Sequence, residues 1–157
     1  FLYAGLMIVD NEPFLIEYNV RMGDPECQTI LPMLHSDLLD ILLACADEKL
    51  SEIQIKWKNL QSLCVVLCSK GYPDEYKKNI KISNFDKLNL DDNNYLFHAG
   101  TKKENDEISA IGGRVLNFIS LSNNLTSARK NVLENLNKLD WDKGFFRKDI
   151  AFKVIDK

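Results

Sequence analysis

Residues 14–26 read FLIEYNVRMGDPE. An apolar run gives way to alternation at Ile16, Glu17, Tyr18, Asn19, Val20 and Arg21, and the chain then breaks at Gly23, Asp24 and Pro25. In a strand, side chains i, i+2 and i+4 share a face, roughly 7 Å apart. Glu17, Asn19 and Arg21 therefore line one face, and Ile16, Tyr18 and Val20 the other. A half-exposed strand gives this pattern with no functional demand. Three features point further. Phe14, Leu15 and Ile16 precede the triad without alternation, which predicts a strand that starts buried on both faces. A carboxylate and an amide oxygen are hard ligands for Mg²⁺, which keeps few protein ligands and takes the rest from phosphate and water. An arginine one step on can neutralise charge developing during phosphoryl or acyl transfer. The Gly-Asp-Pro turn can bring backbone N–H groups to an anion.

The rest of the chain limits the setting. With 157 residues it suits one ordinary domain, or a fragment plus a small domain. It is 45% hydrophobic and 27% charged, as soluble globular proteins are. The net charge of -3 supplies no basic field for nucleic acid. The pairs Lys77-Lys78 and Lys102-Lys103 lie among acids and read as solvated surface. No apolar stretch approaches the roughly 18 residues of a membrane span. The start, FLYAGLMIVDNEP, has no basic n-region or small-residue cleavage site and reads as a strand. It carries no initiator Met, so the chain is expected to be an internal piece of a longer protein. Cys27, Cys45, Cys64 and Cys68 form no C-x-x-C, and His35 and His98 lie far from any ligand pair. Reduced thiols serving as small core residues, in a reducing compartment, are expected.

Residues 1–21 predict a hairpin with its turn at Asp10, Asn11, Glu12 and Pro13. ECQTILPML predicts one or two irregular helical turns, broken near Pro32. SDLLDILLACADEKL predicts a helix capped by Ser36, with Leu38, Leu39, Leu42, Leu43 and Ala46 on its apolar face. DEKLSE marks a boundary. Beyond it IQIKW, SLCVVLCS, NYLFHAG, EISAIGG, RVLNFISLS and RKDIAFKVI predict strands. TSARKNVLENLNKLDW predicts a helix capped by Thr126 or Ser127. Trp57 and Trp141 read as core or domain-contact residues. The fold class is α+β, with units at 1–48 and 52–157.

E-x-N-x-R at a strand end resembles the metal-binding signature of the ATP-grasp superfamily. The longer run YAGLMIVDNEPFLIEYNVRMGDPECQTILPML resembles the glycinamide ribonucleotide synthetase family, which carries a near-identical E-x-N-x-R-x-G-D-P-E stretch. GYP at 71–73, FHAGT at 97–101, GGRVL at 112–116 and RKDI at 147–150 match in the same order. The resemblance covers nearly the whole chain. It implies the end of an ATP-grasp domain followed by a C-terminal domain.

The family joins glycine to 5-phosphoribosylamine with ATP, through glycyl phosphate, in purine biosynthesis. By resemblance Glu17 and Asn19 hold Mg²⁺ or Mn²⁺ between ATP phosphates. Arg21 sits beside the transferring phosphoryl group or the glycine carboxylate. Asp24 either orients the glycine ammonium or caps the following helix. Gly113 and Arg114 belong to a substrate-facing loop, where the guanidinium offers a fork to a phosphate; the bland alternative is a turn with an exposed arginine. His98 could touch substrate or be structural, and His35 reads as surface. Expected partners are ATP, glycine, 5-phosphoribosylamine and the missing N-terminal part of the same enzyme, with no nucleic acid and no membrane. A cytoplasmic location is implied. The family's glycine-rich N-terminal turn and adenine-clamping lid have no counterpart here, so this chain alone is expected to be inactive. Two rivals are a different ATP-grasp carboxylate–amine ligase and a non-catalytic structural or binding fragment.

Overall fold

In a computed structural model, residues 1–155 are described. Strands β1 (Tyr3–Val9) and β2 (Glu12–Asn19) form an antiparallel hairpin. Asp10 and Asn11 turn it, both at positive φ. This is the conformation of a tight two-residue hairpin turn, and Asn and Asp tolerate it well. Glu12 and Pro13, expected in the turn, belong to β2. A bulge between Gly5 and Leu6 leaves Ile16 unpaired and keeps Gly5 opposite Glu17 and Tyr3 opposite Asn19. The expectation of a strand buried on both faces does not hold in this chain. Phe14, Leu15 and Ile16 are half exposed or more, because the hairpin is a sheet of its own two strands.

A short helix α1 (Glu26–Ile30) and a 3-10 turn (Leu31–Met33) follow. Helix α2 (Leu38–Ala46) is capped by Asp37, whose carboxylate accepts from the Leu39 N–H. The expected cap, Ser36, instead accepts from the Lys56 N–H through Oγ. IQIKW is not a strand. Its Trp57 makes one isolated bridge to Leu34, and the Lys56 carbonyl accepts from the His35 and Ser36 N–H groups. These contacts fasten it to the turn before α2, away from any sheet.

Strands β3 (Gln61–Ser69), β4 (Ile80–Ile82), β5 (Asn94–His98), β6 (Thr101–Glu104), β7 (Glu107–Ala110) and β8 (Arg114–Ser122) come next. Helix α3 (Leu125–Leu136), β9 (Gly144–Phe145) and α4 (Phe152–Ile155) complete the described residues. The main sheet runs β5-β8-β3-β9, and a smaller one runs β4-β7-β6, all antiparallel. Asn124 caps α3 by accepting from the Ser127 N–H, so neither Thr126 nor Ser127 is the cap. RKDIAFKVI is also not a strand. Arg129 of α3 donates to the Ile150 and Lys148 carbonyls, which removes them from any ladder. Phe152–Ile155 then makes a helical turn, and β9 takes the sheet edge.

The core lies between the main sheet and α3. Leu63, Val65 and Leu67 of β3 meet Leu116 and Phe118 of β8 and Ala128, Val132 and Leu136 of α3. The other face of the sheet carries α1. Asn131 of α3 donates to Ser120, whereas Thr29 and Ile30 of α1 line one cavity with Cys64, which pairs with Ile119. Neighbouring residues Ile119 and Ser120 point to opposite faces. The two helices therefore sandwich β3 and β8, and α1 brings the preceding strand end over the start of β8.

Candidate functional site

The strand end and the second glycine motif meet in one cleft of about 520 Å³. Its lining includes Glu17, Asn19, Arg21, Asp24, Glu26 and Arg114. The contact that closes it spans 90 positions. Arg114 Nη2 lies 2.6 Å from Asp24 Oδ2, and Nη1 donates to the Asp24 carbonyl at 3.2 Å. Such a two-pronged contact to an ionised group is geometrically specific.

Local sequence explains each placement. Glu17 and Asn19 share a face of β2, and Asn19 Nδ2 donates to Glu17 Oε1 at 2.9 Å. Arg21 lies just past the strand, where its guanidinium reaches the Met22 carbonyl at 3.1 Å. The chain then turns through Gly23 and a cis Asp24–Pro25 bond into α1. A Cβ at Gly23 would run into the Glu26 carboxylate, so only glycine lets that side chain fold back over the turn. Asp24 does not cap α1, whose cap position is Pro25 with no side-chain bond. Its Oδ1 accepts from Gln28 at 3.0 Å and its Oδ2 holds Arg114.

The loop before Arg114 is held from below. Ser69 donates to the Gly112 carbonyl through Oγ and to the Gly113 carbonyl through its N–H. A Cβ at Gly113 would strike the Tyr72 ring. Gly113 itself does not line the cleft; its missing side chain seats Tyr72 and so fixes the residue before Arg114. His98 is engaged by Thr101 at 3.0 Å and stacks on Phe85, away from the cleft. Trp141 is core, and Trp57 is exposed.

Glu17 and Asn19 touch and present two hard oxygen donors, a set that fits a cation sharing its remaining positions with phosphate and water. No cluster of three His, Cys, Asp or Glu side chains able to hold a metal occurs among the described residues. The four cysteines are free. Burial pushes the Cys64 thiol up to about 12, with the nearby Asp24 and Glu26 charges acting in the same direction and a Thr29 hydrogen bond opposing. Burial also raises Cys68, against the pull of Arg114. Neither is a nucleophile at neutral pH. No described helix is long and apolar enough to cross a membrane.

Sequence reasoning did not single out Tyr3, Met22 and Glu26. The signal for Tyr3 is its hairpin register, opposite Asn19. The signal for Glu26 is its place immediately after the Gly-Asp-Pro turn.

Residues 62–153, more than half of the chain, match the family model described as phosphoribosylglycinamide synthetase, C domain. The chain belongs to this family. Residues 1–27 match the ATP-grasp (A) domain of the same synthetase. A phosphoribosylamine–glycine ligase of Brucella melitensis is 42% identical over 99% of this chain, which covers 36% of that protein. One from Agrobacterium fabrum is 44% identical over 98% of the chain and likewise 36% of its own length. The crystal structure of the Thermotoga maritima phosphoribosylamine–glycine ligase aligns over 94% of this chain and 36% of its own, with TM-score 0.72 and 28% identity. The chain thus spans about a third of the length of these family members.

Proposed function

We propose that this chain is the C-terminal part of an ATP-dependent carbon–nitrogen ligase that joins glycine to 5-phosphoribosylamine through glycyl phosphate. It takes residues 1–48 as the end of the ATP-grasp domain and 52–157 as the C-terminal domain. The observation that carries the reading is the meeting of Glu17, Asn19, Arg21 and Arg114 in one cleft, with Arg114 tied to the strand-end turn through Asp24.

Each residue has a task its chemistry suits. Glu17 and Asn19 would hold Mg²⁺ or Mn²⁺ through their side-chain oxygens. When bound, the metal neutralises charge on the ATP phosphates. Arg21 stabilises negative charge on the transferring phosphoryl oxygens or holds the glycine carboxylate. Arg114 spends two N–H donors on Asp24; a guanidinium has five, so others remain for a substrate phosphate. Gly113 serves that role indirectly, by letting the loop close on Tyr72. The glycine carboxylate takes the γ-phosphoryl group of ATP, releasing ADP; the sugar amine then attacks the acyl carbon of glycyl phosphate, forming the C–N bond and releasing phosphate and a proton. A cytoplasmic location, ATP, and the remaining two-thirds of the relatives' length as partner belong to the same reading.

The test is the complete ligase containing this segment. Wild type should sustain steady-state ADP release only with both glycine and 5-phosphoribosylamine present. Glu17→Gln and Asn19→Ala should fold and lose most turnover, with partial rescue by added Mg²⁺. Near-normal turnover of either variant at low Mg²⁺ sinks the metal assignment.

A further inference from the structure

We infer that Glu26 is the residue that receives the ammonium group of the amino-acid substrate, an inference that rests on the ligase reading above. Asp24 is poorly placed for that task. One of its carboxylate oxygens accepts from Gln28, and the other is neutralised by Arg114. A second cation would have to compete with a guanidinium already at 2.6 Å.

Glu26 lines the same cleft without such a partner. It has no basic side chain in ion-pair contact among the described residues. Its recorded side-chain hydrogen bond is a long 3.5 Å approach from the Tyr3 hydroxyl. Tyr3 sits opposite Asn19 across the hairpin, so it links Glu26 to the face that bears Glu17 and Asn19. Gly23 clears the space into which the carboxylate folds. The cleft thus holds two guanidinium groups that suit the carboxylate and phosphate ends of substrates. Of its three carboxylates, Glu17 is assigned to the metal and Asp24 is held by Arg114, which leaves Glu26 for a cationic end. An α-amino acid without a side chain presents those opposite charges two bonds apart. Glu26 selects the zwitterion over a plain carboxylic acid, since an acid lacking the amine would leave its charge unpaired.

The experiment compares Glu26→Gln with Asp24→Asn in the complete ligase. Glu26→Gln keeps the shape that Gly23 accommodates. Loss of one charge-assisted contact is worth about 1.5–3 kcal/mol, so KM for glycine should rise roughly tenfold to a hundredfold while KM for ATP stays put. Asp24→Asn should leave KM for glycine alone and raise KM for the phosphoribosyl substrate by loosening Arg114. Should Glu26→Gln fail to fold, Glu26→Asp decides, because it keeps the charge and displaces it; it too must raise the glycine constant selectively. An unchanged glycine constant in the Glu26 variants, or a rise in Asp24→Asn alone, overturns the assignment. A wild-type enzyme without glycine-dependent ATP cleavage instead fails the ligase reading itself.

Discussion

Arg114→Ala separates a substrate-binding arginine from a structural turn. The side chains of Arg114 and Asp24 are 42% and 48% exposed, so their pairing is well solvated. An exposed ion pair contributes about 0.2–1 kcal/mol to stability. A destabilisation of 1 kcal/mol lowers Tm by roughly 2–4 °C for 150–250 residues and by less for a longer chain, so the complete ligase carrying the variant should melt at most a few degrees below wild type. The kinetic effect should be much larger. A charge-assisted contact to a substrate phosphate is worth about 1.5–3 kcal/mol, or roughly a tenfold to hundredfold change in apparent affinity. We expect that loss in KM for 5-phosphoribosylamine, with KM for ATP little altered. Arg114→Lys should recover only part of it, because an ammonium cannot form the fork. The assay is steady-state ADP release by the complete ligase, varying each substrate in turn, beside thermal unfolding of the same preparations. Equal losses for all substrates, or a large fall in Tm with unchanged kinetics, would refute the reasoning and leave Arg114 as a tie between β8 and the strand-end turn.

Other outcomes follow from the same geometry. Phe118→Ala removes a fully buried side chain of β8 from the core it shares with β3 and α3 and should cost about 3–5 kcal/mol in denaturant unfolding; a cost near zero would mean that the core lies elsewhere. Gly113→Ala forces the Tyr72 ring to move and should destabilise by about 1–3 kcal/mol, and pairing it with Tyr72→Ala should recover most of that loss in a double-mutant cycle. Cys64 has its folded pKa raised from 9.0 to about 12. Its contribution to stability is complete below pH 9.0 and is lost as pH rises toward 12, so Cys64→Ser should flatten an alkaline unfolding profile, and an unchanged profile would contradict the burial argument. The isolated 157-residue chain should show no glycine-dependent ATP cleavage, and protease should cut it first near 47–52 or in the amino-terminal hairpin; measurable turnover by the chain alone would be incompatible with that view.

The sequence was most informative where one rule dominated. Alternation placed Glu17 and Asn19 on one face, and the structure joins them by a hydrogen bond. Helical spacing found α3, and apolar runs found β3 and β8. Short segments failed where a distant partner decided the outcome. IQIKW has strand-forming residues, yet the turn at His35 and Ser36 captures its backbone. RKDIAFKVI reads as a strand until Arg129 takes its carbonyls. The convergence of Asp24 and Arg114 was not legible from spacing, because it depends on which sheet face α1 covers. Glu26 was missed for a related reason: its availability appears only once Asp24 is seen to be occupied.

The central claim is that this chain supplies the metal-and-phosphate cleft of a glycine ligase. A segment swap tests it most directly. The corresponding third of the Brucella melitensis ligase would be replaced by residues 1–157, which share 42% identity with it, and glycine- and phosphoribosylamine-dependent ADP release would be measured. The account predicts an active hybrid whose activity disappears with Glu17→Gln. A folded hybrid that releases no ADP in response to both substrates, or one indifferent to Glu17→Gln, would contradict it.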